Sequence, residues 1–151
     1  MILYTADLHF GHRSVIDFDH RPFSDVEEMD GALIKLWNER VSEKDHVYII
    51  GDFAYRNEKG EEWYLRQLKG HKHLIIGNHE KRMLNNPAAM HYFESVDKML
   101  HVTDNGTQIC LCPVIRWRSG TVIIKDTPTY TDISIISATK HINLCGPERM
   151  H

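Results

Sequence analysis

Three short apolar segments, each ending at polar residues, constrain the fold of this chain more than any other feature. They are ILYTA before Asp7, HVYII before Gly51-Asp52, and HLII before Gly77-Asn78-His79-Glu80. Short runs of mostly β-branched or aromatic residues are typical of strands that are buried on both faces. The sequence therefore predicts three buried strands, each followed by side chains that can bind metal or transfer protons.

Helical patterns separate these segments. Ser24 and Glu27 have the spacing of a capping box, and apolar residues then recur at helical spacing up to about Arg40. A second helix is predicted over 58–69, with Gly70 suited to the left-handed position after its end. Strands that alternate with helices favour a parallel sheet with right-handed crossovers, so the predicted fold class is α/β.

The second half of the chain has a different pattern. Strands are predicted over 98–102 and 107–111, and the turn sequence DNG between them is typical of a β-hairpin. Two more short strands are predicted over 122–124 and 133–136. The whole chain of 151 residues has the size of one ordinary domain.

The polar residues after the strands are predicted to form one site. In open parallel sheets, ligands bind at the carboxyl ends of the strands. The residues that follow the three strand ends are Asp7, His9, Asp52, Asn78 and His79. Carboxylate and imidazole ligands together suit Mn, Fe or Zn, a second carboxylate can bridge two ions, and an amide adds a carbonyl oxygen. Two ions ~3.5–4 Å apart can clamp a phosphoryl centre.

Two neighbouring residues have chemistry of their own. His79 is placed to act as a general acid on a leaving oxygen, and Glu80 is placed to orient its ring. The alternative is that Asp and Asn residues at strand ends only cap turns, which is common. The ordered recurrence of such residues after all three strands favours a site.

Charge and hydropathy exclude other functions. The net charge is -3 with mixed signs and without a Lys/Arg run, so a nucleic-acid surface gets no support. No stretch reaches the ~18 apolar residues of a membrane span. The start of the chain lacks the basic and apolar regions of a signal peptide. We therefore expect a cytoplasmic protein without a membrane partner.

The motifs DLH, GD and GNHE, in this order after apolar strands, resemble the calcineurin-like metallophosphoesterase family. The longer forms DLHFGH, RPF and GDFAYR resemble a small bacterial and phage branch of it, and the match covers roughly residues 1 to 80. The resemblance implies an αββα sandwich with a largely complete parallel half. It also implies metal-dependent hydrolysis of a phosphomonoester or phosphodiester. The implied cofactors are two divalent ions, with Mn the first choice and Fe, Zn or Mg as alternatives.

The resemblance also implies roles for single residues. By position, Asp7 and His9 would bind the first ion and Asp52 would bridge both ions. Asn78 would bind the second ion, and His79 would be the proton donor.

Two further residues match the longer motifs of the branch. Arg56 and His12 are expected to contact phosphate, although a surface ion pair for Arg56 and a surface loop position for His12 are the alternatives.

The sequence departs from the family after residue 112. The family has a His-aromatic-Pro and a later Gly-His-x-His, whereas here Cys112 leads directly into Pro113 and neither motif follows. Four of the usual seven metal-ligand residues are therefore present, and the missing ones belong mostly to the second ion. Within one domain, 1–112 is thus family-like and 113–151 is divergent. His141 is the candidate replacement ligand.

Three explanations account for the divergent tail. They are a reading-frame change near codon 112, a natural variant with one metal, and a pseudoenzyme that keeps the fold without turnover. We favour the first because three ligands on separate loops are lost together. Two functional classes follow, an impaired phosphoesterase and an inactive metal- or phosphate-binding module, and metal stoichiometry distinguishes them.

Overall fold

The computed structural model describes residues 1–113 and 122–125 of the chain. The strands are β1 (Ile2–Ala6), β2 (His46–Ile50), β3 (His71–Ile75), β4 (Phe93–Asp97), β5 (Leu100–Asp104), β6 (Thr107–Leu111) and β7 (Val122–Lys125). The helices are α1 (Arg13–Phe18), α2 (Val26–Arg40), α3 (Glu61–Leu65), α4 (Lys81–Leu84) and α5 (Pro87–Met90). None of the helices in these residues has the length and apolar character needed to span a membrane.

The first four strands form a parallel sheet in the order β1-β2-β3-β4. The strand ends are in register, since Ala6 pairs with Ile50 and Ile50 pairs with Ile75. The residues that follow β1, β2 and β3 therefore leave the sheet at one edge. This arrangement confirms the α/β prediction, and β3 begins at His71, slightly before the predicted HLII segment.

Side chains alternate between two cores on the two faces of this sheet. On one face, Val47, Ile49 and Leu74 pack against the helices, in a cluster that includes Leu33 and Trp37 of α2. This cluster contains fully buried aromatic and aliphatic side chains, which supply most of the apolar burial that stabilises the fold. The helices therefore cover only this face within the described ranges.

The other face packs against a second sheet. Ala6, Ile50 and Ile75 contact Ile109 and Leu111 of β6. Strands β5, β6 and β7 form this antiparallel sheet in sequence order. The layers therefore follow the order helices, parallel sheet, antiparallel sheet, which is consistent with a metallophosphoesterase-like fold.

Helix α2 begins one residue later than its sequence signature predicts. Asp25 is the N-cap, and its carboxylate accepts a hydrogen bond from the Glu28 N–H at 2.8 Å. The Glu28 carboxylate in turn accepts hydrogen bonds from the N–H and hydroxyl of Ser24. The capping prediction at Ser24 and Glu27 is thus wrong by one position, because an aspartate next to Ser24 is an equally good cap.

Helix α3 is much shorter than the predicted 58–69. Gly60 has φ of 83° at its N-terminus, a conformation that does not continue a helix. After the helix, Gln67 and Leu68 donate to carbonyls three residues earlier, which is the tighter turn typical of a helix end. The left-handed conformation predicted for Gly70 is confirmed by its φ of 83°.

The hairpin prediction is confirmed, with a shifted first strand. Asp104 pairs with Thr107, and positive φ values at Asn105 and Gly106 are those of a type I′ turn. The predicted strand at 98–102 corresponds to β5, which lies slightly later, while β4 was missed. Val122–Lys125 confirms the strand predicted at 122–124, and the strand predicted at 133–136 lies outside the described residues.

Candidate metal centre

The loops after β1 and β2 are joined by backbone hydrogen bonds beyond the sheet. His9 N–H donates to the carbonyl of Asp52 at 2.9 Å, and Phe10 N–H donates to the carbonyl of Phe53 at 2.9 Å. Tyr55 N–H then donates back to Phe10 at 3.1 Å. The DLHF and GDFAY segments therefore run side by side, which fixes the spacing between the side chains that they carry.

Three of the predicted metal ligands converge at this edge of the sheet. One donor atom from each of Asp7, His9 and Asp52 lies within 4.8 Å of the other two. His9 Nε2 is 3.7 Å from Asp52 Oδ2, and the two side chains are 12% and 16% exposed. Ligand distances of ~2.0–2.2 Å to one ion are compatible with this spacing. The arrangement can therefore hold a divalent cation.

The same three residues have unusual backbone conformations. Asp7, His9 and Asp52 have φ values of 53°, 54° and 50°, in the left-handed region. Such conformations cost about 1–3 kcal/mol each for residues with a Cβ, and they concentrate at functional sites. On a regular strand, successive side chains point to opposite faces of the sheet. The left-handed conformations of Asp7, His9 and Asp52 interrupt this alternation at the strand ends, and the three side chains converge there.

Arg21 is hydrogen-bonded to the backbone of the turn that follows β1. Its guanidinium, in a residue that is 7% exposed, donates to the backbone carbonyls of Asp7 at 2.9 Å and Leu8 at 3.0 Å. It also contacts the Asp19 carboxylate at 3.3 Å. Sequence reasoning assigned Arg21 no role, although the RPF motif marked its position.

Asp30 of α2 holds the other end of the DLHFGH segment. Its carboxylate accepts from the Gly11 N–H at 3.0 Å and from the Tyr64 hydroxyl at 2.9 Å. Burial raises the pKa of Asp30, against the effect of these hydrogen bonds. A Cβ on Gly11 would lie 2.3 Å from Cβ of Asn57, so a glycine is required there.

Burial determines the charge state of His9. Its pKa is lowered to about 3, first by burial and then by the positive charges of Arg21, His12 and His79. His9 is therefore a neutral imidazole at neutral pH, with a lone pair available to a metal, and its contact with Asp52 is not an ion pair.

Asp52 carries the strongest sign that a cation belongs in this site. Burial raises the pKa of its carboxyl, while the nearby His79 ring and a hydrogen bond from the His79 backbone lower it. Its Oδ1 is buried and has no hydrogen-bond partner among the described residues. An unpaired buried carboxylate oxygen is costly, and a bound cation would remove that cost. The donor set therefore fits a divalent metal.

Asn78 and His79 follow β3 at the same edge. The His79 ring centroid is 5.9 Å from that of His9 and 4.3 Å from that of Tyr55. Asn78 is exposed. The next residue, His79, donates a hydrogen bond from its backbone N–H to the Asp52 carboxylate. His79 thus borders the three converging ligands, and Asn78 lies on the adjoining loop.

Glu80 contacts the loop after β2. It is 1% exposed, and its Oε1 accepts from the Phe53 N–H at 3.0 Å. Burial raises the pKa of Glu80 to about 7, with the Asp52 charge adding to the effect. The hydrogen bond to Phe53 joins the second and third loops of the site, whereas the predicted orientation of the His79 ring by Glu80 stays a prediction.

His12 and Arg56 surround Tyr55 at the rim. His12 Nδ1 is 3.4 Å from His9 Nδ1, and the His12 and Tyr55 rings are 4.7 Å apart. The exposed Arg56 guanidinium lies 5.2 Å above the Tyr55 ring. Both residues predicted to contact phosphate therefore lie beside the site, while His141 lies outside the described residues.

At the carboxyl edge of the parallel sheet, Asp7, His9 and Asp52 thus form a group that can hold a divalent metal ion. The sequence pattern of the calcineurin-like phosphoesterase family matches residues 1–134, and the chain belongs to that family. The family is one of divalent-metal-dependent hydrolases that act on phosphate esters. The match continues past Cys112, and the division of the chain at that residue stays a prediction.

Relatives with sequence similarity come from archaea and phages. The chain is 43% identical over 82 residues to an uncharacterized protein of Methanocaldococcus jannaschii, covering 53% of this chain and 47% of that protein. It is 38% identical over 80 residues to the Gene 66 protein of Mycobacterium phage L5, covering 51% of this chain and 38% of that protein. The chain thus spans less than half the length of these curated relatives.

A solved structure has a similar fold. The crystal structure of a protein of unknown function from Aquifex aeolicus matches with a TM-score of 0.59 and 26% identity. The alignment covers 73% of this chain and 58% of that one.

Proposed function

We propose that this chain is a phosphoesterase that hydrolyses a phosphomonoester or phosphodiester at the carboxyl edge of its parallel sheet. One observation carries the proposal. The donor atoms of Asp7, His9 and Asp52 converge within 4.8 Å, and one buried oxygen of Asp52 has no partner among the described residues. Family membership supplies the reaction class, and the convergence supports a metal-dependent version of it in this chain.

The ligand roles follow from position. Asp7 and His9 would hold a first ion together with Asp52, and Asp52 and Asn78 would provide an oxygen-rich half-site for a second. Bound divalent ions supply charge neutralisation at the phosphoryl group and lower the pKa of a bound water. Mn is the expected metal because the set is rich in oxygen with one imidazole, and Fe, Zn and Mg are the alternatives.

The proton chemistry is assigned to His79. Its ring lies beside His9 and Tyr55, at the rim of the ligand cluster, where a substrate's leaving oxygen can approach. His79 would donate its proton to that oxygen as the ester bond breaks. Arg56 and His12, which both lie against the Tyr55 ring, would contact the phosphate. Glu80 contributes by fixing the loop that carries His79.

A second candidate function is a catalytically inactive metal- or phosphate-binding module. It is favoured by the absence of a His-aromatic-Pro and of a Gly-His-x-His from the sequence after Cys112. With those ligands missing, the chain would hold at most one ion tightly, since half-sites of oxygen ligands and water bind weakly. High Mn concentrations fill the weak half-site by mass action. The phosphoesterase should then gain turnover, whereas the inactive binding module should not.

The test is hydrolysis of p-nitrophenyl phosphate and bis-p-nitrophenyl phosphate across a Mn titration. The expected result is poor turnover at micromolar Mn that rises toward millimolar Mn and is lost in Asp52→Asn. Asp17 is exposed, so Asp17→Asn is the matched control and should keep the turnover of the parent. Metal binding with no turnover at any Mn concentration would instead establish the binding module.

A further inference from the structure

A second group of metal-ligand side chains lies at the opposite end of the parallel sheet from the candidate metal centre. His46 and His71 begin β2 and β3 and are paired in register, and His73 follows two residues later. Glu94 of β4 lies against all three rings. The proposed phosphoesterase reaction uses none of these four residues.

A β-bulge places Glu94 in this group. Lys72 pairs with Phe93 and His73 pairs with Ser95, so Glu94 is the extra residue between two consecutive pairs. In a regular strand, Glu94 and Ser95 would point to opposite faces of the sheet. Here both side chains contact His73, at 3.8 Å for the Glu94 carboxylate and 2.9 Å for the Ser95 hydroxyl. Bulges re-aim side chains in this way and are frequent near functional sites.

Three donor atoms have the spacing of a metal triad. His46 Nδ1 lies 2.9 Å from His73 Nε2, and these two nitrogens lie 4.0 Å and 3.8 Å from Oε2 of Glu94. Tetrahedral zinc with bonds of ~2.0–2.1 Å separates its ligands by ~3.3–3.4 Å. The observed distances lie on both sides of that value, so shifts of about half an ångström would complete the geometry.

Each of two ligands is already oriented by a neighbour. The Nδ1 atom of His73 is hydrogen-bonded to the Ser95 hydroxyl, which leaves Nε2 directed at the triad. The other carboxylate oxygen of Glu94 is held by His71 Nδ1. Metal-binding imidazoles and carboxylates typically have such partners on their second polar atom. The contacts of Ser95 with His73 and of His71 with Glu94 are therefore those expected around metal ligands. A simple surface ion pair would not need these additional partners.

Exposure gives an ion a way in. The His73 side chain is 11% exposed and is stacked on Tyr48 with ring centroids 4.5 Å apart. The side chains of His46 and Glu94 are 44% and 47% exposed. One ligand is thus anchored in the sheet, and the other two can close on an ion from solvent.

We propose that His46, His73 and Glu94 form a second metal site, selective for an imidazole-preferring ion such as Zn²⁺. Two nitrogens and one oxygen favour Zn²⁺ over Mn²⁺, in contrast to the oxygen-rich candidate metal centre. A bound ion joins β2, β3 and β4, so binding stabilises the parallel sheet by linkage. The proposal does not depend on phosphoesterase activity.

The test measures Zn²⁺ binding by calorimetry, with the visible absorption of Co²⁺ as a second readout. The Asp7→Asn/Asp52→Asn background removes the candidate metal centre. In that background, His46→Asn and Glu94→Gln should each abolish tight Zn²⁺ binding, because each removes a ligand from a half-exposed position. Ser95→Ala should weaken binding by roughly 10–100-fold. His91→Asn, at an exposed histidine elsewhere, is the matched control and should bind like the background.

A measurement on the parent protein guards against misfolding of the variants. Zn²⁺ at two equivalents per chain, enough to fill both sites, should shift the ring proton signals of His46 and His73 in NMR spectra and leave those of His91 unchanged. Unchanged Zn²⁺ affinity in both His46→Asn and Glu94→Gln, or unshifted His46 and His73 signals, would show that the group is only a hydrogen-bonded cluster.

Discussion

Arg21 donates a hydrogen bond to the backbone carbonyl of Asp7, at 2.9 Å, in the turn that follows β1. Asp7 has φ of 53°, in the left-handed region that is uncommon for residues with a Cβ. The buried guanidinium makes a second bond to Leu8 in the same turn. The strained turn that carries a predicted metal ligand is therefore hydrogen-bonded through its backbone to the buried side chain of Arg21.

Arg21→Lys should weaken metal binding while leaving all ligands in place. A lysine keeps the charge, but it lacks the planar guanidinium fork that serves both carbonyls. We expect Mn affinity to fall by roughly 10–100-fold, as for other supports of metal ligands. The free energy of unfolding should fall by about 1–3 kcal/mol because buried carbonyls lose partners. Urea unfolding and Mn titration test this, with the exposed Arg13→Lys as control, and unchanged affinity in Arg21→Lys would remove its supporting role.

His79→Ala should separate turnover from metal binding. A positioned general acid typically contributes ~10²–10⁴ in rate, so hydrolysis of alkyl phosphate esters should drop by about that factor. The loss should be much smaller for p-nitrophenyl esters, whose leaving group needs no proton. Mn binding should match that of the parent, and His91→Ala should keep full rates. Equal losses on both classes of ester would exclude the general-acid role.

Glu80→Gln should stabilise the metal-free protein at high pH. Burial raises the pKa of Glu80 to about 7, so between pH 4.5 and 7 the folded state keeps a proton that the unfolded state has lost. The contribution of Glu80 to the stability of the parent should therefore fall as pH rises through that window. A glutamine keeps the acceptor for the Phe53 N–H and cannot ionise, so it should add up to about 3 kcal/mol above pH 7.

Urea unfolding in a chelator, at about pH 5 and about pH 8, measures this difference. The free energies of unfolding of Glu80→Gln and the parent should be nearly equal at the lower pH, and that of the variant should be higher at the higher pH. The exposed Glu58→Gln is the control and should follow the parent at both. A difference between variant and parent that does not grow across the window would contradict a raised pKa for Glu80.

The parts of the fold that were predictable are those with strong apolar patterning. β1 and β2 have the predicted bounds because both faces are buried, and the in-register strand ends explain why Asp7 and Asp52 meet. β4 was missed because FESVD, at the sheet edge, has Glu94 and Val96 exposed and no apolar run.

The supports of the site were less predictable than its ligands. Arg21 donates hydrogen bonds to backbone carbonyls. Every residue has such a carbonyl, so the residue types in the turn do not indicate this contact. Glu80 was placed in the site, but its contact with the Phe53 N–H depends on how two loops pack. Glu94 reaches His73 only through a bulge, which local periodicity does not reveal.

Metal analysis after gel filtration tests the central claim, that Asp7, His9 and Asp52 form a metal site, most directly. The protein is loaded with Mn²⁺, for which the nitrogen-rich group at the other end of the sheet has little preference. We expect the parent and the exposed control Asp17→Asn to retain about one ion per chain, limited by the weak oxygen half-site. Asp52→Ala should retain none, because it removes a ligand shared by both half-sites. Mn²⁺ retention by Asp52→Ala equal to that of the parent would show that these strand ends do not form the metal site.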